Sequence, residues 1–259
     1  MQNIILSTSN QITKLVNKLF NDKKYRDKTN LFVCQSKKVI SSLISLNFKL
    51  NKIIIKQNSK YYDKFKNFTN AIIVNNHVYD YMSHQENGDG LIAIFSQKNW
   101  NKSLDINSDT IIFDNIQNPN NLGAILRICA AFNINNLILT NNSVDQYNYK
   151  VIQSSMGYGL DTNIIITNNL AKSIKELQNK NYMVYATGFS KNAINLNTLT
   201  KKPKPKKIAI LFGNEGLGLK QNQMELCNQT IFIPINKKVN SLNLSTATAI
   251  VAYFIKIWK

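Results

Sequence analysis

One arginine stands among apolar residues in the run NPNNLGAILRICAAFN, which begins at Asn118. Arg127 is its only charge, while Leu122, Ile125, Leu126, Ile128, Cys129 and Phe132 are the large residues of a buried helix. The turn ahead of it holds Pro119, Asn120, Asn121 and Gly123, so backbone amides at the helix start are placed to receive an anion. Arg127, about one turn beyond Gly123, could reach the same place. The equally simple alternative is an arginine snorkelling from a core helix to water.

Two further loops carry candidate chemistry. LFGNEGLGL, Leu211 to Leu219, puts Gly213, Gly216 and Gly218 after an apolar strand, where a bare backbone can approach a ligand closely. It has no GK[ST] ending and does not fit G-x-G-x-x-G, so it is neither a P-loop nor a dinucleotide fingerprint. Glu215 disfavours phosphate there and suits hydroxyls, amines or a cationic ligand; a plain glycine-rich turn reads equally well. In IPINKKVNSLNLSTATAIVAYF, Ile233–Pro234 ends a strand, Ser241, Leu242 and Asn243 follow, and Ser245 is the expected N-cap of a last helix. Ala247, Ile250, Val251, Phe254, Ile255 and Trp258 recur at helical spacing, which points to core or subunit interface. His77 and His84 both precede these loops. Cys34, Cys129 and Cys227 form no CxxC pair, so neither a zinc site nor a disulfide framework is expected, and no metal.

The elements that must hold these loops fall into two blocks. Up to Gln97, helix-like stretches (QITKLVNKLF, SKKVISSLISL) alternate with β-rich runs (LFVCQ, NKIIIKQ, AIIVNN, LIAIFS), and QENGDG is a turn cluster. QKNWNKSLDINSD reads as a polar linker. The expected division is a domain over 1–97, a linker over 98–106 and a second domain over 107–259. In the second, strands TIIFDNI, NLILT, NIIIT, YMVYAT, IAILFG and TIFIPI are separated by helical patterns, including one around YKVIQSS. That alternation predicts an α/β fold with a parallel sheet covered on both faces, which binds ligands at the carboxyl ends of its strands. KKPKPKK, with two prolines and five lysines, must be a solvent-exposed loop.

The chain has 259 residues, enough to bury a proper core. Lys+Arg number 32 against 14 Asp+Glu, for a net charge of +18, which favours a polyanionic partner such as RNA or DNA. The abundance of Lys, Asn and Ile also fits an AT-rich genome. The N-terminus lacks a long apolar h-region, and ATAIVAYFIKIWK is too short to span a membrane, so an intracellular protein is expected.

Together and in this order, the three loops resemble the motifs of the SpoU (TrmH) family of RNA 2′-O-ribose methyltransferases, of the SPOUT class. NPNNLGAILRICAAFNINNLIL resembles the first motif, LFGNEGLGL the second and IPINKKVNSLNLSTATAI the third, and the likeness covers roughly residues 104 to 259. KKYRDKTNLFVCQSKKVISSLI and MSHQENGDGLIAIF resemble the family's small substrate-binding domain, an α/β/α unit similar to a ribosomal-protein fold. Ser36 departs from the pattern, standing where relatives usually carry glycine after the strand.

The resemblance implies a deep trefoil knot in the C-terminal domain, S-adenosyl-methionine as cofactor, a homodimer with each site completed by the partner chain, and a cytoplasmic location (an organellar matrix if eukaryotic). It assigns cofactor contacts to Gly213, Ile233 and Leu242, with Asn214, Glu215, Gly216, Pro234 and Asn243 nearby. Arg127 and Asn121 become the catalytic pair. Contacts to RNA fall to Arg127, Ser241, Lys24 and Arg26. The layout is most like the branch that methylates a guanosine in large-subunit ribosomal RNA. A transfer-RNA methyltransferase, or a non-catalytic RNA-binding or assembly factor on the same fold, are the alternatives. Arg127 is expected as base or as the group activating the hydroxyl; the second role suits a guanidinium, whose pKa exceeds about 12.

Overall fold

The computed structural model describes residues 4–85, 88–98, 104–199 and 201–258. Most of the expected linker, and Glu86 and Asn87 of the turn cluster, lie outside the described residues. The chain forms two compact units, residues 1–98 with 145–161, and 99–144 with 162–259.

The first unit runs α1 (Gln11–Asn21), α2 (Lys23–Thr29), β1 (Leu31–Gln35), α3 (Lys37–Ser45), β2 (Leu50–Lys56), α4 (Tyr62–Phe65), β3 (Ala71–Val74), α5 (Asn76–Met82) and β4 (Leu91–Ser96). Its sheet has the order β1-β4-β2-β3, antiparallel except for the β2–β3 pair. Ile12, Val16, Leu19 and Phe20 form one stripe of α1 and pack with Val33, Ile54, Ile92 and Ile94. In β1, Phe32 points away from Val33 and stacks on Tyr147 with ring centroids 4.8 Å apart.

That tyrosine belongs to the excursion 145–161, which the sequence pattern had assigned to the second domain. Contacts group it with the first unit instead. Its helix, numbered below as α7, packs on β1. Asp145 explains part of this: its carboxylate accepts from Arg26 Nε at 3.0 Å and Nη2 at 2.8 Å. Arg26 Nη1 donates to the Leu19 carbonyl at 2.8 Å and that of Phe20 at 3.2 Å, capping the end of α1. The Arg26 side chain is 3% exposed. Its expected place on an RNA-facing surface is therefore corrected: a charge paired and bonded this completely is a structural tie. Lys24, two residues earlier, is exposed.

Ser36 has φ 73° and ψ 140°, a conformation open to glycine and strained for a side chain.

The second unit runs β5 (Thr110–Phe113), α6 (Pro119–Phe132) and β6 (Asn136–Thr140). After the excursion and its helix α7 (Tyr149–Ser155), it continues with β7 (Asn163–Thr167), α8 (Leu170–Asn179), β8 (Met183–Thr187), β9 (Ile194–Asn195) and α9 (Leu196–Leu199). It ends with β10 (Ile208–Phe212), α10 (Gln221–Glu225), β11 (Gln229–Phe232) and α11 (Leu244–Ile257). Seven strands in the order β7-β6-β5-β10-β8-β11-β9 form a wholly parallel sheet. This is the expected α/β architecture; the short edge strand β9 and α9 were not legible in the pattern. On one face Ile112, Ile138, Val184, Ala209 and Leu211 pack with Ile174 and Leu177 of α8. On the other, Phe113 and Phe212 stack at 5.2 Å. Burial on both faces is why these strands read as unbroken apolar runs. Parallel pairing also brings the loops after β5, β8, β10 and β11 to one end of the sheet.

Candidate functional site

Asn118 begins α6: its side chain accepts from Asn120 N at 2.9 Å, and Pro119 occupies the first helical position. The amides just ahead do meet an anion, and it is the protein's own. Glu215, in the loop after β10, accepts from Asn118 N at 3.1 Å and Gln117 N at 3.4 Å. A carboxylate at the positive end of α6 is favoured by the helix dipole. The Gln117 and Asn118 amides, just ahead of the helix, are therefore occupied by Glu215, and the Asn120 amide by the Asn118 cap.

From Glu215 a polar chain crosses the site. Asn121 Nδ2 donates to Glu215 Oε1 at 3.3 Å, and Asn243 Nδ2 donates to Asn121 Oδ1 at 3.1 Å. Asn243 Oδ1 in turn accepts from Ser245 N at 2.9 Å and Thr246 N at 3.4 Å. Asn243, not Ser245, is thus the N-cap of α11. One residue from each of the three loops is locked to the next, and Asn121 is 7% exposed.

The glycine-rich loop closes on itself. Asn214 Oδ1 accepts from Gly216 N at 2.9 Å and Leu217 N at 3.2 Å, while Gly218 N donates to Asn214 O at 3.0 Å. Asn214 Nδ2 reaches the Asn115 carbonyl at 2.8 Å, tying this loop to the end of β5. Gly213 lies so close to the Gly218–Leu219 backbone that no side chain fits there. Here glycine serves close approach, whereas Gly218, at φ 65°, serves the turn.

Beside this loop is a cavity of about 410 Å³, lined by Gly213, Asn214, Glu215, Gly216, Ile233, Ser241 and Leu242 among others. Pro234 lines an adjoining hollow with Phe189, Phe232 and Lys237. Asn121 and Asn243 reach the cavity's polar wall through Glu215. Arg127 lies further along the same helix. It is exposed on α6 together with Ala130 and Ala131, about 9 Å along the helix axis from Asn121 at ~1.5 Å per residue. Thr187, Gly188 and Phe189, after β8, also line the cavity and were missed. The signal was present as a glycine directly after the strand YMVYAT, the same punctuation as in the loop after β10.

No thiol in the chain is poised as a nucleophile. Burial pushes Cys129 and Cys227 up to about 12, and Cys34 is raised as well, by burial first and then by the Asp89 charge. Among the described residues there is no group of three or more His, Cys, Asp or Glu placed to hold a metal ion. Nor is any described helix long and apolar enough to cross a membrane.

Residues 109–253 match the model of the SpoU rRNA methylase family. The chain belongs to the SpoU rRNA methylase family. Among relatives of this SpoU family chain, the 23S rRNA (guanosine(2553)-2′-O)-methyltransferase RlmP of Bacillus subtilis is 23% identical over 97% of the chain and 98% of its own length. The 23S rRNA (guanosine-2′-O-)-methyltransferase RlmB of Escherichia coli K12 is 30% identical over 54% of the chain and 56% of its own length. The chain thus spans about half of that second relative. The AdoMet-bound rRNA methyltransferase of Sinorhizobium meliloti shares the SpoU chain's fold, with a TM-score of 0.81 at 24% identity over 98% of this chain and 97% of that one.

Proposed function

We propose that this SpoU chain methylates the 2′-oxygen of a ribose, a guanosine in large-subunit ribosomal RNA, using S-adenosyl-methionine. The observation that carries the reading is the Asn243–Asn121–Glu215 chain, which joins the three family motifs at the rim of one cavity. The RlmP and RlmB relatives, both 23S rRNA guanosine 2′-O-methyltransferases, support the substrate.

The residues present fit the cofactor. The cavity brings backbone at Gly213 and apolar side chains such as Ile233 and Leu242 together with the Glu215 carboxylate, a donor set suited to a cationic ligand with apolar parts. Gly213, Ile233 and Leu242 would hold it, with Asn214, Glu215, Gly216, Pro234 and Asn243 nearby. Bound there, S-adenosyl-methionine supplies an electrophilic methyl on a sulfonium. The chain's task is then to align the 2′-hydroxyl and ease its deprotonation. Arg127 holds the neighbouring phosphate and stabilises alkoxide charge as it develops, and the proton passes to a phosphate oxygen or to water rather than to Arg127. Asn121, fixed by Glu215 and Asn243, orients the groups that meet the ribose, and Ser241 adds a hydrogen bond to the RNA.

The same reading includes a homodimer. Ile250, Tyr253 and Ile257 are exposed along one stripe of α11, which packs against α6. Arg127 stands on the exposed face of α6, so pairing through these helices gives it a role in completing a site. The reading also includes a trefoil knot: β10 enters between β5 and β8, carrying a late segment of chain through the middle of the sheet. The first unit, with exposed Lys24, is the RNA-docking domain of ribosomal-protein type, and the enzyme works in the cytoplasm.

Calorimetry with S-adenosyl-methionine, followed by mapping of 2′-O-methyl sites in total RNA with and without the protein, tests the reading. Cofactor binding and one new methylated guanosine in large-subunit ribosomal RNA are expected. RNA affinity with no cofactor affinity would identify a non-catalytic assembly factor, and a new site in transfer RNA would move the substrate.

A further inference from the structure

KKPKPKK, residues 201–207, takes no part in the site described above. It is an exposed loop held on a firm base. Trp258 Nε1 donates to the Lys202 carbonyl at 2.8 Å. Lys204 Nζ pairs with Asp109 at 3.1 Å and donates to the Ile255 carbonyl at 3.1 Å. Lys207 Nζ donates to the Lys180 carbonyl at 3.1 Å and lies over the Tyr182 ring. Pro203 and Pro205 stiffen the segment between these ties. Two of the five lysines therefore anchor the loop, and the other three, Lys201, Lys202 and Lys206, are exposed.

Among the described residues no carboxylate pairs with those three ammonium groups. Asp109, the nearest acid by connectivity, is already engaged by Lys204 and by Ile208 N at 3.0 Å. The loop's ties run to Lys180 and to Ile255, beside Lys256, and both these lysines are exposed as well. The result is a cationic surface on a preorganised backbone. It sits at the amino end of β10, while the cavity opens at the carboxyl end, about 17 Å away at ~3.3 Å per strand residue.

We propose that this loop is a second RNA-contacting surface, binding backbone phosphates of the substrate far from the ribose that reacts. The proposal rests on the reading of RNA as substrate. Lysine ammonium groups accept a phosphate from many directions and carry no base preference. A run with no large apolar residue has nothing to insert into a lipid surface. The loop therefore adds affinity and salt dependence, and leaves the chemistry to the other end of the sheet.

The test uses the full-length protein and an in vitro transcript of large-subunit ribosomal RNA, with binding measured across a salt series. The variant carries Lys201→Ala, Lys202→Ala and Lys206→Ala; a control carries Lys172→Ala, Lys175→Ala and Lys191→Ala, exposed lysines of the same unit, with equal loss of charge. Losing three phosphate contacts makes the slope of log K against log salt shallower by about 2–3, and weakens binding about 100-fold near 0.1 M salt. S-adenosyl-methionine affinity and the rate at saturating RNA stay at wild-type values. An unchanged salt slope, an equal loss in the control, or loop-dependent binding to anionic lipid vesicles without RNA binding overturns the proposal. Wild-type protein that binds the transcript but never transfers a methyl group defeats the enzymatic reading and leaves this one standing.

Discussion

Replacing Gly213 with alanine tests whether the glycine-rich loop is built around close backbone approach. A Cβ there would meet the Gly218 oxygen and the Leu219 nitrogen at 2.5 Å, with the Gly218 carbonyl carbon closer still. Ordinary contacts lie about 1 Å further out, and backbone cannot rotate aside as a flexible side chain can. The hairpin from Asn214 to Gly218 must open, straining the Gly218 N–Asn214 O bond of 3.0 Å and the Glu215 contacts with the start of α6. Overpacking of this kind costs about 1–3 kcal/mol, which corresponds to a fall in Tm of roughly 2–12 °C for a domain of this size. Displacing the cavity wall also weakens S-adenosyl-methionine binding at least tenfold by calorimetry, the order expected for an ångström-scale misplacement. Gly216→Ala is the control: its Cβ would meet only Asn214 Oδ1, at 3.6 Å, so stability should stay within about 0.5 kcal/mol of wild type. If Gly213→Ala melts with the wild type and binds the cofactor equally well, the close-approach argument is wrong. A Gly216→Ala variant just as unstable would also refute it, by showing that any Cβ in the loop is damaging.

Arg127→Ala should lower methyl transfer by about 100-fold or more, the scale for losing a group that stabilises developing charge, while S-adenosyl-methionine affinity by calorimetry is unchanged; near-normal turnover would remove Arg127 from catalysis. Arg26→Ala leaves the Asp145 carboxylate buried without its guanidinium, at a cost of about 3–5 kcal/mol in urea unfolding, whereas exposed Lys24→Ala should stay within about 0.5 kcal/mol. Ser36→Gly relieves a side chain at φ 73° and should gain about 1–2 kcal/mol, read as a higher unfolding midpoint; a lower midpoint would mean that the side chain supports the turn.

Arg26 and Arg127 show which kinds of placement a sequence reveals. Both were assigned to RNA by the resemblance, the first within its small substrate-binding domain and the second within its first motif. Arg26 lies in KKYRDK, where every neighbour is polar, so nothing local distinguishes a solvated cation from a tied one. The partner that decides it, Asp145, is 119 positions away, inside a polar excursion that the β/α pattern assigned to the other unit. A non-local ion pair leaves no periodic trace. The strands, by contrast, were legible because burial on both faces demands unbroken apolar runs, and each run was matched by a strand in the parallel sheet.

The convergence of the three motif loops follows from the same physics. In a wholly parallel sheet every strand carboxyl end lies on one side, so loops that follow β5, β10 and β11 must meet whatever their separation in sequence. Period alone therefore placed these loops at one end of the sheet, and the resemblance named Asn121, Glu215 and Asn243 within them. It did not predict that Glu215 would fill the amide site at the start of α6. That site attracts any carboxylate, and one carried by the protein on a loop tied back to β5 through Asn214 is present at far higher effective concentration than a free ligand. The consequence for mechanism is specific. In the proposed reading, phosphate recognition falls to side-chain cations on exposed faces, because Glu215 already holds the Gln117 and Asn118 amides ahead of α6. Arg127, carried on α6 but well beyond its first turn, meets that requirement, and so do the lysines at the far end of β10.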